Sequence, residues 1–412
     1  MSQRASQICD SWRNGVVNMK LKNDLYYVGI MDKDLKVFDI IMETEFGTTY
    51  NSYILMGNDK VALFETAKAK FFDDYLEKIK EIVSVSKIDY IIMEHTEPDH
   101  AGSIAKLLEL NPGIEVIGTV AAIRNLSNII NKEFNSHVVK ENDILSLGDK
   151  TIRFIMAPNL HWPDTMYSYV EEDKVLITCD SFGAHFCCDK VLRSMVEDEE
   201  GYFRAVKYYY DNIMGPFKPF LLKALDKING LDIDMICTGH GPVLDCKIEE
   251  MKESYREWST VINPNTKKTV VITYVSAYGY TKQMADIIGK AIQDYDDINV
   301  KMFDLVEDSA VDALEEIQFA DGLLFGSPTI LGDALKPIWD VLTTMLPQIH
   351  SGKYAAAFGS YGWSGEGVPN ITARLCQLKM KVQDGLKICF KPSEVEIEKC
   401  KEFGKTFAGK LV

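Results

Sequence analysis

Residues 91–103 read IIMEHTEPDHAGS, and Glu94, His95, Glu97, Asp99 and His100 stand within seven positions of one another. Two imidazoles and three carboxylates on one turn of chain are side chains of the kind that hold metal ions. An apolar run leads straight into them. Further along, His161 follows IRFIMAPNL, Asp180 follows VLITC and His240 follows DMICTG. Each of these stretches reads as a short buried strand ending in a possible ligand. In a layered α/β sheet the strand ends share one rim, where such groups would converge. A lone histidine after a strand is more often an ordinary loop or core residue; four strands ending this way change the balance.

The set His95, Glu97, Asp99, His100, His161, Asp180 and His240 offers four imidazoles and three carboxylates. That is too many for a single tetrahedral ion. It suits two ions, with Asp180 placed to bridge them. A hard, mixed nitrogen and oxygen set favours iron or manganese over metals that prefer thiolate, although affinity order alone does not exclude zinc. No cysteine belongs to the set, which argues against an iron–sulfur cluster. Around it, His185 in DSFGAHF is either a proton-holding or ligand-orienting group or a plain loop histidine. Trp162 and Tyr27 are candidates to line the pocket, although aromatics near strand ends are usually packing. Glu94 is expected to point away, because neighbours along a strand alternate sides. Pro98 stiffens the loop between Glu97 and Asp99.

A second group of residues suggests different chemistry. In SAYGYT, a loop between a buried strand and a helix, the hydroxyls of Ser276 and Thr281 and the backbone N–H groups of Ala277, Tyr278, Gly279 and Tyr280 can cradle a phosphate. Ser327, Pro328, Thr329 and Ile330 occupy the matching place after the next strand. Ser360, Tyr361, Gly362, Trp363, Ser364 and Gly365 occupy it after the third. Tyr361 or Trp363 would offer a face to a flavin ring. The chain has no GxGxxG followed by a ribose-binding acid and no basic pocket for a diphosphate, so FMN suits these loops better than a dinucleotide.

The elements that must position these groups have two grammars. Residues 1–264 alternate short β-rich runs (LYYVGI, YNSYILM, KVALFETA, IDYIIM, IEVIGT, TIRFIMA, KVLITC, IDMICTG) with helical stretches at 71–84, 102–109, 203–228 and 247–260. After the linker-like NPNTKK, residues 265–412 repeat strand, small-residue loop and helix three times, the pattern of a doubly wound parallel sheet. We place the domain boundary near residue 265. A chain of 412 residues with 46% apolar and 26% charged residues is ordinary for a globular protein of two or three domains. Its net charge of −16, mostly on residues 1–264, argues against nucleic acid or an anionic membrane surface as partner. The nine scattered cysteines, Cys9 among them, form no CxxC pair and read as reduced thiols. The polar N-terminal stretch has no signal-peptide core, and no run is long enough to span a bilayer. Cytoplasmic residence is the expectation.

His-x-Glu-x-Asp-His at 95–100, followed by His161, Asp180 and His240, resembles the flavodiiron proteins, or A-type flavoproteins. In that family a metallo-β-lactamase-like αββα sandwich is fused to a flavodoxin-like domain. The superfamily's hydrolases carry His-x-His-x-Asp-His, where this chain has Glu97; the exchange adds a negative oxygen donor and fits iron redox chemistry. The resemblance implies one iron on His95, Glu97 and His161, a second on Asp99, His100 and His240, and Asp180 between them. It further implies FMN, reduction of O2 to water or of NO to N2O, and a head-to-tail homodimer or dimer of dimers. Reduction of O2 is the favoured expectation. The donor is expected to be a separate molecule: rubredoxin, a flavin reductase or reduced F420. A zinc hydrolase and a pure electron-carrier flavoprotein are the remaining alternatives.

Overall fold

The computed structural model describes residues 19–40 and 42–412; Cys9 and the polar N-terminal stretch lie outside the described residues. The chain divides into two compact units, one ending at Thr260 and the other spanning Val261–Val412.

The first unit is built on two sheets. One has seven strands in the order Met19–Lys22, Leu25–Tyr27, Tyr53–Met56, Val61–Phe64, Tyr90–Ile92, Glu115–Gly118 and Asn135–Val138. The other has five, in the order Ile144–Ser146, Thr151–Met156, Met166–Val170, Val175–Cys179 and Met235–Thr238. Leu25, Tyr53, Leu55, Phe64 and Ile92 of the first sheet share one core with Ile152, Phe154, Val170, Ile177 and Cys237 of the second. The opposite face of the seven-stranded sheet is covered by Phe72–Ile82, Ile104–Leu110 and Val120–Ile130. That of the five-stranded sheet is covered by Glu199–Tyr209, Lys218–Ile228 and Ile248–Ser259. The layers are therefore helix, sheet, sheet, helix, as in an αββα sandwich of the metallo-β-lactamase type.

Strand direction gathers the candidate ligands. Met166–Val170 is antiparallel to both neighbours, Thr151–Met156 and Val175–Cys179, and Met235–Thr238 is parallel to Val175–Cys179. The three strands that precede His161, Asp180 and His240 thus run the same way and finish on one edge.

The expected strands all form, beside others that the quoted runs do not mark, among them Asn135–Val138, Ile144–Ser146 and Ile298–Asp304, and the helix reading over 203–228 needs correction. The single helix anticipated over 203–228 is broken into Glu199–Tyr209, a π turn at Tyr210–Met214, a 3-10 turn at Gly215–Phe217 and Lys218–Ile228. Gly215 and Pro216 cause the break, because proline has no N–H for the helical ladder and its ring crowds the preceding turn. Met166–Val170 is an additional strand whose five residues are all buried, so it lacks the alternation that marks a half-buried strand.

In the second unit six strands run parallel in five places, in the order Ile298–Asp304, Lys268–Tyr274, Gly322–Gly326, Tyr354–Tyr361 and, sharing the last place, Lys381–Val382 and Leu386–Cys389. This is the 2-1-3-4-5 order of the flavodoxin-like doubly wound fold. Tyr280–Gln293 and Glu394–Ala408 cover one face; Ala310–Ile317, Lys336–Thr344 and Gly367–Gln377 cover the other. Among the described residues no helix is long and apolar enough to cross a membrane.

Candidate metal centre

All seven candidate ligands meet in the first unit. The strand Tyr90–Ile92 ends just before His95 and Glu97, and Pro98 then opens the short helical turn Pro98–Ala101 that carries Asp99 and His100. Proline suits the first helical position because its φ is already set and its missing N–H would be unpaired there. His95, His100, Asp99, Asp180 and His240 are buried, while Glu97 and His161 are half-buried.

The geometry splits the seven into two sets that meet at Asp180. Glu97 Oε2 lies 3.1 Å from His95 Nε2 and 3.0 Å from His161 Nε2. Asp180 Oδ2 lies 3.3 Å from His161 Nε2 and 3.7 Å from His95 Nε2. On the other side Asp99 Oδ2 lies 3.2 Å from His240 Nε2 and 3.6 Å from His100 Nε2. Asp180 Oδ1 lies 3.1 Å from His100 Nε2 and 3.4 Å from His240 Nε2.

This arrangement fits two metal ions. Ligands about 2.0–2.2 Å from an ion stand roughly 3.0–3.4 Å from one another; most of the distances here fall in that range, and the two longer ones are 3.6 and 3.7 Å. Asp99 Oδ1 is buried without a hydrogen-bond donor among the described residues, and Asp99 Oδ2 and Asp180 Oδ2, also buried, face only ring nitrogens 3.2–3.7 Å away. A buried, unpaired carboxylate oxygen is costly, and a cation is the natural partner for it. In the metal-free chain the clustered carboxylates hold protons on the rings instead. Burial pulls His161 down, but hydrogen bonds to Asp180 and Glu97 raise it to about 10. Burial pushes Asp180 up, yet the charge of His100 and its hydrogen bond hold it well below the usual carboxylate range.

The neighbours fall into place unevenly. Trp162 stands edge-on to His95, with ring centres 5.0 Å apart. His185 packs 4.3 Å from Phe38 and 5.2 Å from His240, centre to centre, and its Nδ1 lies 2.9 Å from Thr48 Oγ1. Its Nε2 is buried without a partner among the described residues, and the ring lines a cavity of about 860 Å³. Burial, then the charge of His240, lowers His185 to about 3, so the ring stays neutral. Tyr27 does not line this pocket. It is fully buried between the sheets, edge-on to Tyr53, and its hydroxyl donates to Asn51 Oδ1 at 3.0 Å. The reason is its place on the face of the strand Leu25–Tyr27 that fills the core between the two sheets. Glu94 turns away as alternation requires, accepting from Ser168 Oγ at 2.6 Å.

Several groups at the centre carry no spacing signal. Tyr209 donates its hydroxyl to Asp180 Oδ1 at 3.0 Å. Thr49 presents its carbonyl to His240 Nδ1 at 2.5 Å, and Asp164 Oδ2 lies 3.4 Å from His95 Nδ1. Asp39 is raised to about 6 by burial and then by its hydrogen bond to Glu97. Glu65 accepts from the backbone N–H of Glu94 and His95 at 2.6 and 3.0 Å. Only Glu65 was findable in the sequence, since it ends an apolar run as Asp180 does.

In the second unit the three small-residue loops follow the strand ends on one rim and are tied together. Thr281 Oγ1 lies 2.9 Å from Ser360 Oγ, Thr329 N–H donates to Ser360 O at 2.9 Å, and Gly367 N–H donates to Thr329 Oγ1 at 3.1 Å. Ser276 Oγ accepts from Lys282 N–H at 3.2 Å, and Gly279, at φ +80°, caps the helix Tyr280–Gln293. Ser327 is buried and committed within its own loop, accepting from Leu335 N–H and donating to Pro328 O. Gly365, also at φ +80°, lies against the Tyr361 ring so closely that a Cβ there would stand 2.9 Å from Tyr361 Cγ. Tyr278 and Trp363 are 81% and 90% exposed, and neighbouring Leu331 98%. Uncovered aromatic and apolar side chains beside an open helix N-terminus are what a flavin mononucleotide would cover. Ala277, Tyr280, Pro328, Ile330, Gly362 and Ser364 complete the same loops.

Residues 48–241 match the family described as ODP family beta lactamase, and residues 272–404 match flavodoxin. The chain is 43% identical over 396 residues to the flavo-diiron protein FprA2 of Clostridium acetobutylicum, covering 95% of this chain and 98% of that one. It is 37% identical over 395 residues to the type A flavoprotein fprA of Rhodobacter capsulatus, covering 94% and 90%. Among solved structures, rubredoxin oxygen:oxidoreductase from the anaerobe Desulfovibrio gigas superposes with a TM-score of 0.61 at 28% identity, covering 96% of this chain and 98% of that one. The flavodiiron protein from Giardia intestinalis gives 0.59 at 25% identity, covering 96% and 97%.

Proposed function

The chain belongs to the flavodiiron proteins, FMN-dependent diiron oxidoreductases that reduce O2 or NO, and from that membership we propose that its main reaction is reduction of O2 to water. The observation that carries the site assignment is the division of Asp180, whose two oxygens face two different sets of ligands. We assign one iron to His95, Glu97 and His161, the other to Asp99, His100 and His240, and the bridge to Asp180. When bound, the iron pair supplies a place to activate the oxidant, and FMN supplies electrons one at a time.

The chain's own residues prepare that place. Tyr209 fixes Asp180 by donating to Oδ1, and Trp162 shields the His95 edge from solvent. His185 is kept neutral, and with Thr48 at Nδ1 its Nε2 is left free to hold a hydrogen bond or proton at the oxidant. At the flavin, Ser276, Gly279 and Thr281 would hold the phosphate end, while Tyr361 and Trp363 would flank the ring. Residues 1–264 would form the diiron domain and 265–412 the FMN domain.

Electrons would reach FMN from a separate donor, which could be rubredoxin, a flavin reductase or reduced F420. The name of the Desulfovibrio gigas protein supports rubredoxin. A head-to-tail homodimer, alone or paired again, would set each FMN beside the irons of the partner chain, and twofold association is the commonest symmetry for soluble chains. A cytosolic oxygen-scavenging role follows from this reading. The test is anaerobic reduction of the flavin followed by separate pulses of O2 and NO. Faster reoxidation by O2, with no peroxide released, is expected; faster reoxidation by NO would overturn the assignment of O2 as the main substrate.

A further inference from the structure

A histidine that binds a metal through one ring nitrogen nearly always donates the other N–H to a carboxylate, a carbonyl or a water, which fixes the ring's tautomer and orientation. Two histidines of this centre have such a partner in plain view. His95 Nδ1 has Asp164 Oδ2 at 3.4 Å, and His240 Nδ1 has the carbonyl of Thr49 at 2.5 Å. His100 turns Nε2 to Asp180, so Nδ1 is its outward nitrogen, and that nitrogen is buried with no hydrogen bond among the described residues. A carboxylate oxygen, Glu65 Oε2, lies 4.0 Å away; it is buried and has no hydrogen-bond donor among the described residues, and the carboxyl of Glu94, its own Oε2 unpartnered, lies beside it. Two buried orphans of opposite kind, facing each other across a gap one water can bridge, call for a common explanation.

We infer that Glu65 is the positioning residue of His100: its Oε2 accepts a hydrogen bond from the Nδ1–H, directly or through one buried water, and so sets the ring edge that faces Asp180. The inference rests on the assignment of His100 as a metal ligand. The local backbone is arranged for the task. Glu65 sits at φ +54°, a conformation that residues with side chains seldom adopt, and its N–H donates to Ile92 O at 2.9 Å. Ser52 Oγ donates to the Glu65 carbonyl at 3.1 Å, and Thr66 N–H donates to the His100 carbonyl at 2.8 Å. These bonds lock the turn after Val61–Phe64 to the backbone of His100 and aim the carboxyl inward. Oε1 is already taken by the N–H groups of Glu94 and His95, so Oε2 is the oxygen left for the ring. Cys179 also borders this space, but a third ion there would compete with the Nδ1 proton of a ring already bound through Nε2.

That division of labour makes Glu65→Gln the sharp variant. It preserves size, but the backbone N–H pair requires an oxygen, which turns the amide NH2 toward Nδ1–H, donor against donor. Iron affinity is measured by chelator competition in the full-length protein for the wild type, Glu65→Gln, His100→Ala and the double variant. We expect Glu65→Gln to weaken iron binding about 10- to 100-fold and to alter one of the two iron signals in the Mössbauer spectrum. In the His100→Ala background the same change should cost under about 2-fold, because the partner it acts through is gone. If His100→Ala keeps wild-type affinity, the ligand assignment itself falls and takes this inference with it. If His100→Ala weakens binding while Glu65→Gln does not, or if the two effects simply add, the positioning role alone is overturned.

Discussion

Asp180 and His100 meet with Oδ1 and Nε2 3.1 Å apart, while the other oxygen of the same carboxylate lies 3.3 Å from His161 Nε2. One side chain therefore stands between two sets of donors carried by different strands. The strand Val175–Cys179 delivers it, and Tyr209 holds it in place from a helix on the outer layer. The proposed diiron chemistry follows from that division, and so do the following expectations.

Iron loading should release protons. In the metal-free chain, burial lowers His161 but hydrogen bonds to Asp180 and Glu97 raise it to about 10, so it is protonated at neutral pH. A metal needs the neutral ring, so its affinity should fall as the pH is lowered. A dye-based proton count during anaerobic iron addition in weak buffer checks this, and a count near zero contradicts it. The sign for stability is separate. Because the folded value lies above the ordinary 6.5, the stability this ring lends the metal-free protein is full below about 6.5 and is lost as pH rises through about 10.

Replacing His185 by Gln should leave iron and FMN content unchanged and slow turnover about 10- to 100-fold, at the low end of general acid–base contributions. Since burial and the charge of His240 hold the ring down at about 3, its titration should produce no inflection in the rate between about pH 5 and 8. Wild-type turnover in the variant would remove His185 from the reaction.

A fragment from about residue 265 to the end should fold alone and take up one FMN. The second unit has its own parallel sheet with a hydrophobic cluster on each face, so it carries what an independent fold needs. Flavin absorbance after gel filtration is the readout. A folded but colourless fragment in excess FMN would count against the loop assignment.

Mixed dimers should regain activity that neither parent has. One parent carries Asp180→Ala and lacks irons; the other has residues 276–281 disrupted and lacks FMN. In a head-to-tail dimer the hybrid contains one intact pair across the interface. Hybrids that assemble and stay inactive would show that electrons do not pass between chains.

Much of this centre was legible because covalent order exposes it. Each proposed ligand follows an apolar strand, and shared strand direction turns that regularity into proximity. The groups that orient the ligands were mostly not legible. Asp164, Asp39, Thr49 and Tyr209 reach the centre from loops, a hairpin and an outer helix, and no local pattern marks them. Tyr27 was misread for the converse reason: a position at a strand end does not say which face of the sheet a side chain joins. In the fold, Gly215 and Pro216 were visible in the sequence, yet the periodicity around them suggested one unbroken helix. Met166–Val170 escaped because a strand buried on both faces has no alternation to display.

The most direct test of the account is metal and flavin analysis of the wild type beside Asp180→Ala. With Asp180 as the bridge, the wild type should hold about two irons and one FMN per chain. The variant should keep its FMN, fall well below one iron and lose reduction of both gases. A variant that retains two irons and full turnover would contradict the bridge and, with it, the proposed centre.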